Sequence, residues 1–121
     1  MGLRTEEVEE IIGELIRDNF LNEERYALAF AGGKFRMKGW GKVKIRYELK
    51  QNGISDYCIR KALQSIDEEE YAQTLEKHVH FKSSSLKSEK NIFIKKNKIR
   101  NYLLQKGFEM ELILELLNKN Q

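Results

Sequence analysis

The chain has 121 residues, a net charge of +3, no proline, a single cysteine, and 34% of its residues charged. That length holds one compact domain or a short repeat array, not a large pocket between two lobes. Valine is rare beside abundant Leu, Ile, Lys and Glu, which disfavours sheets, and no apolar run approaches the ~20 residues of a membrane span. Cys58 has no partner for an internal disulfide, which suits a reducing cytoplasm.

Helical periodicity runs through almost the whole chain. "TEEVEEIIGELIR" places Val8, Ile11, Ile12, Leu15 and Ile16 on one face, with glutamates in the first turn. These first 20 residues are acidic and amphipathic, unlike a secretion signal. A second helix is expected from Asn22, a plausible N-cap, with Leu21 stapled onto Tyr26 and with Tyr26, Ala27, Phe30, Ala31 and Phe35 turned inward. The glycines around Trp40 break it. The next helix runs from about Lys42 to Asn52 and stops at Gly53, where glycine takes a left-handed conformation without a Cβ clash. Ile54 then packs back on Leu49 as a hydrophobic latch. A third helix follows Ser55, with Ile59, Ala62, Leu63 and Ile66 inward.

The pattern then restarts. Asp67 and Glu70 form a capping box, and Tyr71-Ala72 repeats Tyr26-Ala27 at a distance of 45. From Lys42 to Leu63 the second copy lies 54 positions on, and nine of those 22 positions are identical. Gly107, Phe108 and Leu103 repeat the stop and its latch. The nine extra residues call for a loop near 82–91, in "FKSSSLKSEKN". The organisation expected is therefore all-α: a leading helix over 1–21, read as the tail of an earlier unit, then tandem three-helix repeats over 22–66 and 67–121. One such unit has a marginal core, so the units should stack.

The charge is segregated. Lys34, Arg36, Lys38, Lys42, Lys44, Arg46 and Lys50 stand against Glu48 alone, and eight bases between Lys82 and Lys106, among them Lys95, Lys96, Lys98 and Arg100, stand against Glu89. The rest of the chain is acidic. Lys42, Arg46 and Lys50 are four apart and so line one helix face, with Lys96 and Arg100 at the equivalent places. Solvated helix faces ordinarily mix signs, so these blocks point to a polyanion or an acidic protein surface. Trp40, beside Lys38 and Lys42, is either an exposed stacking or anchor residue or a plug between two units.

Nothing in the sequence suggests catalysis. His78 and His80 are two apart, on different helix faces, and make no metal pair. Cys58 lies next to core positions with no histidine near it, as a structural thiol does. No phosphate-loop or nucleophile-elbow pattern occurs, so no enzyme activity, metal or cofactor is expected.

Four stretches, in order, resemble the RecX family of bacterial regulatory proteins: "FLNEERYALAF", "KGWGKVKIRYELKQNGI", "CIRKAL" and "KIRNYLLQKGF". Family members begin with a further helical unit, of which only the last helix is recognisable here, and usually carry Lys or Arg where this chain has Asn52. The resemblance implies an elongated, curved, non-enzymatic, cytoplasmic protein. It would lie in the groove of the RecA–single-stranded DNA filament and restrain recombination, DNA repair and the SOS response. The residues named above between Lys34 and Lys50 and between Lys95 and Arg100 would touch RecA or DNA phosphates. No membrane partner is implied, and a monomer is expected. Two rivals remain at this point. Two short helices joined at Gly53 resemble a helix-turn-helix that reads duplex DNA on its own, and a helical repeat can be an adaptor for some other protein.

Overall fold

A computed structural model of the chain describes residues 5–119. It contains α1 (Thr5–Lys38), α2 (Lys42–Gln51), α3 (Asp56–Gln64), α4 (Glu68–Ser85), α5 (Ile92–Lys106) and α6 (Met110–Lys119), with no strand among the described residues. α1 packs along α2 and α3, α2 also packs on α3, and α5 packs on both α4 and α6. Two three-helix groups result, α1–α3 and α4–α6, and their buried side chains form one cluster.

The break expected at Asn22 is absent, and α1 runs unbroken through it. An asparagine inside a helix costs only about 0.7 kcal/mol or less relative to alanine. Breaking the helix there would cost several backbone hydrogen bonds. Glu23, one residue on, caps a different helix: its carboxylate accepts the N–H of Ser55, just before α3. Tyr26, expected inward, is half exposed, and its hydroxyl accepts a bond from the side-chain amide of Asn52 at 3.1 Å. Ala27, Ala31 and Phe35 are buried as expected. Val8, Ile11, Ile12, Leu15 and Ile16 are all exposed. The loop expected near 82–91 is shorter, because α4 continues to Ser85, whose hydroxyl satisfies the Lys82 carbonyl.

Both glycine stops form as the sequence implies. Gly53 (φ 78°) and Gly107 (φ 95°) are left-handed. The N–H of Ile54 reaches the Leu49 carbonyl at 3.1 Å, and that of Phe108 reaches Leu103 at 3.2 Å. Ser55 and Asp67 cap α3 and α4 by accepting from the N–H groups of Cys58 and Glu70.

The two copies of the repeated helix meet end to end. α2 has no side-chain cap. Its orphan N–H groups are satisfied from the other three-helix group instead. Gly41 donates to the Lys106 carbonyl at 2.7 Å, Val43 donates to the Gly107 carbonyl at 2.9 Å, and Lys42 donates to the Tyr71 hydroxyl at 2.8 Å. The negative end of the α5 dipole thus abuts the positive end of α2. The approach is so close that a Cβ on Gly41 would lie 2.3 Å from the Gly107 carbonyl carbon, and one on Gly107 would lie 2.2 Å from Lys44 Cβ. Phe108, almost fully buried, fills the seam against Tyr71 and His78, with ring centroids at 5.1 and 5.6 Å. Burying such a side chain contributes about 1.5–3 kcal/mol. The second group offers no such joint at its own far end. Lys95 stands where Gly41 stands in the first copy, and α5 is capped by its own Asn91.

The groups differ in one respect that shapes the surface. In the first, α1 and α3 meet through Ala27, Ala31, Cys58 and Ala62, all fully buried. In the second, the repeat puts Glu76, Leu112 and Leu116 at the places of Ala31, Cys58 and Ala62. These larger side chains hold α4 and α6 apart, leaving an open groove of about 470 Å³ with Ala72, Leu75, Leu112 and Leu116 among its lining.

Candidate protein and nucleic-acid contact surface

The bases expected to share one surface separate into several settings. Lys34 and Lys44 both reach Trp40, their Nζ atoms 5.0 and 4.5 Å from its ring centroid, and Phe30 meets the ring edge-on at 6.4 Å. Trp40 is half-buried. With a lysine ammonium over it from both α1 and α2, it serves as a platform that holds two cations in place. The plug expected between the units is made by Gly41, Gly107 and Phe108 instead.

Lys42 turns away from Trp40. Its Nζ lies 4.8 Å over the Tyr71 ring, and with Arg46 it lines a hollow shared with Arg60, Glu68 and Glu109. Helical geometry explains the division, since residues two apart, such as Lys42 and Lys44, face nearly opposite ways. Lys50, the third member of the expected stripe, is drawn to Asp56 at 3.6 Å, and Lys98 to Glu89 at 3.9 Å. Both pairs are well exposed on the lysine side and contribute little to stability, but each places an acid beside the lysine. Arg36 and Lys38 are exposed at the end of α1 and border an open groove with Gln73, Thr74 and Lys77 of α4. Lys95, Lys96 and Arg100 are half-buried along α5.

A second lysine–aromatic cluster escaped the sequence reading. Lys82 and Lys106 lie 5.3 and 5.9 Å from the Tyr102 ring, with Phe81 beside it. The i,i+4 spacing of Tyr102 and Lys106 was a legible signal. The approach of Lys82, which reaches Tyr102 from α4, was not. One backbone bond ties the two clusters: Gly41, next to Trp40, donates to the carbonyl of Lys106.

Two titratable groups close the seam. Tyr71 donates to the Glu109 carboxylate while accepting from Lys42. Burial pushes its phenol far above the ordinary range, and the bond to Glu109 adds to this. His78 Nε2 sits 2.9 Å from the Gly39 carbonyl, with Tyr102 and Phe108 edge-on to its ring. Burial holds this imidazole below its ordinary value, with the Lys106 charge acting the same way against the opposing effect of the Gly39 bond. His80 is exposed and Cys58 is buried. Among the described residues no three metal-ligating side chains come together, and no helix is long and apolar enough to cross a membrane.

Comparison with known proteins places the chain. Residues 22–63 match the family model for the second three-helix domain of RecX, and residues 68–117 match that for the third. A "Regulatory protein RecX" from Thermotoga petrophila is 33% identical over 118 residues, covering 98% of this chain and 67% of that protein. This chain belongs to the RecX family. A RecX from Clostridium botulinum (strain Eklund 17B / Type B) is 32% identical over 119 residues, and one from Escherichia coli K12 (DH10B) is 31% identical over 111. The chain spans just over half, 55%, of the Clostridium relative's length and 64% of the Escherichia coli relative's. No solved structure matches it. In RecX terms, the Gly41–Gly107 seam is the junction between the second and third three-helix domains.

Proposed function

We propose that this chain is a non-enzymatic cytoplasmic regulator that binds RecA, or the RecA–single-stranded DNA filament, and restrains recombination and the SOS response. RecX family membership over both three-helix domains carries the reading. The lysine–aromatic clusters at the seam support it, because they hold cations at fixed positions on both domains. The contact surface comprises Lys34, Arg36, Lys38, Trp40, Lys42, Lys44 and Arg46, with Lys95, Lys96 and Arg100. Lys50 and Lys98 contribute less, because Asp56 and Glu89 offset their charge. Lys82 and Lys106 join the set.

Fluorescence anisotropy with labelled single-stranded DNA, with and without RecA and nucleotide, tests this reading. Binding should appear or tighten only on the preformed filament. Charge reversal at Lys42, Arg46 and Lys96 should abolish it, and intact binding by that variant would refute the assigned surface.

A second reading, an autonomous nucleic-acid module, is favoured by the two lysine ammoniums gathered on Trp40, an arrangement that suits a phosphate backbone. It requires equal binding to bare DNA. Replacing one phosphate-binding lysine by a neutral residue would then flatten the log–log salt dependence by about 0.7–0.9.

A further inference from the structure

The groove between α4 and α6 has no counterpart in the first three-helix group. There the equivalent helices, α1 and α3, close on each other through Ala27, Ala31, Cys58 and Ala62. In the second group Glu76, Leu112 and Leu116 take three of those places, and Ala72, which repeats Ala27, is left exposed. Leu112 and Leu116 stand one turn apart on α6 and are only half-buried, and the buried Leu75 of α4 completes the apolar lining. A trough of about 470 Å³ between two helices takes the side chains of one more helix, not the face of a folded domain. The two groups join through the ends of α2 and α5. The trough opens along the sides of α4 and α6, so a further unit stacked in the same manner would not fill it.

Charge narrows what occupies it. The rim is acidic, in a chain whose net charge is +3. Glu68, Glu76, Glu109 and Glu115 border the trough, against Lys42 and Lys119. Glu109 is engaged by the Tyr71 hydroxyl, and Lys42 lies over the Tyr71 ring at the seam. Glu68, Glu76 and Glu115 are exposed, and neither ion pair among the described residues involves them. Glu76 and Glu115 come from opposite walls, one on α4 and one on α6. A polyanion is repelled from such a rim and a cationic segment is drawn to it.

We propose that the α4–α6 groove is a docking site for a basic amphipathic helix of a partner protein. The aliphatic side chains of that helix seat on Ala72, Leu75, Leu112 and Leu116, and its Lys or Arg residues stand against Glu76 and Glu115. An apolar stripe at i, i+3, i+4 and i+7 matches a groove of this kind, and bases flanking the stripe meet both walls. The docked helix covers the leucines that α6 leaves half-buried, as a fourth helix does in a bundle. Ala72, with the smallest side chain of the lining, lets the incoming backbone approach closely. The chemistry recognised is opposite to that of the lysine–aromatic clusters, and the site stands independently of the function proposed for them.

Fluorescence anisotropy on the full chain tests this without RecA or DNA. The probe is a fluorescein-labelled synthetic peptide of leucine and lysine, ~14 residues long so that it can hold a helix, with leucines at i, i+3, i+4 and i+7. Saturable binding that weakens with salt is expected. A peptide with the same leucines and glutamate for every lysine should bind about ten-fold more weakly or worse. Exposed-site variants, each checked by circular dichroism for unchanged helix content, locate the site. Glu76→Lys with Glu115→Lys reverses the rim and should lower the affinity about ten-fold or more. Ala72→Leu fills the trough without changing its charge and should lower the affinity to a similar extent. Glu69→Lys with Glu111→Lys makes the same charge change outside the groove and should stay within about two-fold of wild type. No saturable binding by wild type overturns the proposal, as does equal affinity for the acidic peptide. So does an Ala72→Leu or rim-reversed variant that binds like wild type, or a loss in the outside variant equal to that in the rim variant. Sedimentation equilibrium of the chain alone covers the remaining occupant: a dimer that the peptide dissociates gives the groove to a second copy and overturns the proposal as well.

Discussion

Three glycines allow backbone strain and steric contact at the seam to be separated. Gly53 is left-handed with nothing within 4 Å of an added Cβ, so alanine there meets strain alone. The left-handed conformation costs an L-residue about 1–2 kcal/mol. Gly41 has ordinary extended geometry (φ −78°, ψ 168°), so alanine there meets the clash alone. Its Cβ would sit 2.3 Å from both the carbonyl carbon and oxygen of Gly107, and backbone cannot swing aside as a flexible side chain does. Relieving the overlap parts the two domains, which breaks two seam hydrogen bonds at ~1 kcal/mol each and adds an overpacking cost of about 1–3 kcal/mol. The expected loss is thus about 3–5 kcal/mol for Gly41→Ala, and about 4–7 kcal/mol for Gly107→Ala, which combines strain with clash. Urea titration followed by circular dichroism reads these values directly. In a chain of this size each kcal/mol should also lower Tm by roughly 3–6 °C. Because the seam couples two repeat units, Gly41→Ala should also reduce the m-value or split the transition. If Gly41→Ala costs no more than Gly53→Ala, the end-to-end docking of α5 on α2 is wrong.

Other outcomes follow from the same seam and its lysines. Tyr71→Phe strands the Lys42 N–H and deprives the Glu109 carboxylate of its donor, which should cost about 1.5–3 kcal/mol in urea unfolding; a neutral result would mean that water replaces the hydroxyl. His78 is held below its unfolded value near 6.5, so the unfolded chain takes up the proton first. Its contribution to stability is complete above that pH and is lost as pH falls below it. His78→Gln should therefore flatten the decline in Tm between pH 7.5 and 5, and an unchanged decline would assign it to other groups. Trp40→Ala should weaken filament or DNA binding by releasing Lys34 and Lys44, while Trp40→Phe should retain most of it. Equal losses in the two variants would mean that the indole makes the contact itself.

The helical class, the duplication and both glycine stops were legible in the sequence because each depends on local chemistry. Apolar residues at helical spacing, a missing Cβ at a left-handed position and a side-chain oxygen at an N-cap act within a few residues of one another. Misreadings arose where local signals were overridden. Asn22 and Leu21 looked like a helix start, but nothing there was strong enough to break a helix, and Glu23 was recruited to cap α3. The stripe Lys42–Arg46–Lys50 was a correct helical face, yet Lys42 lies over the Tyr71 ring, Lys50 pairs with Asp56 and Arg46 lines an open hollow, so equal spacing did not give equal environments. Tyr71 and His78 gave no sign of their roles, since their partners Lys42, Glu109 and Gly39 lie 29 to 39 residues away. Glycine at 41 in the first copy is replaced by Lys95 in the second, directly before the repeated K-x-K-I-R. The sequence by itself determined which segments are helices and where they stop. Only the tertiary structure decided that Gly41 and Gly107 meet, because that contact is fixed by how two separately formed helical groups dock and not by the propensity of either.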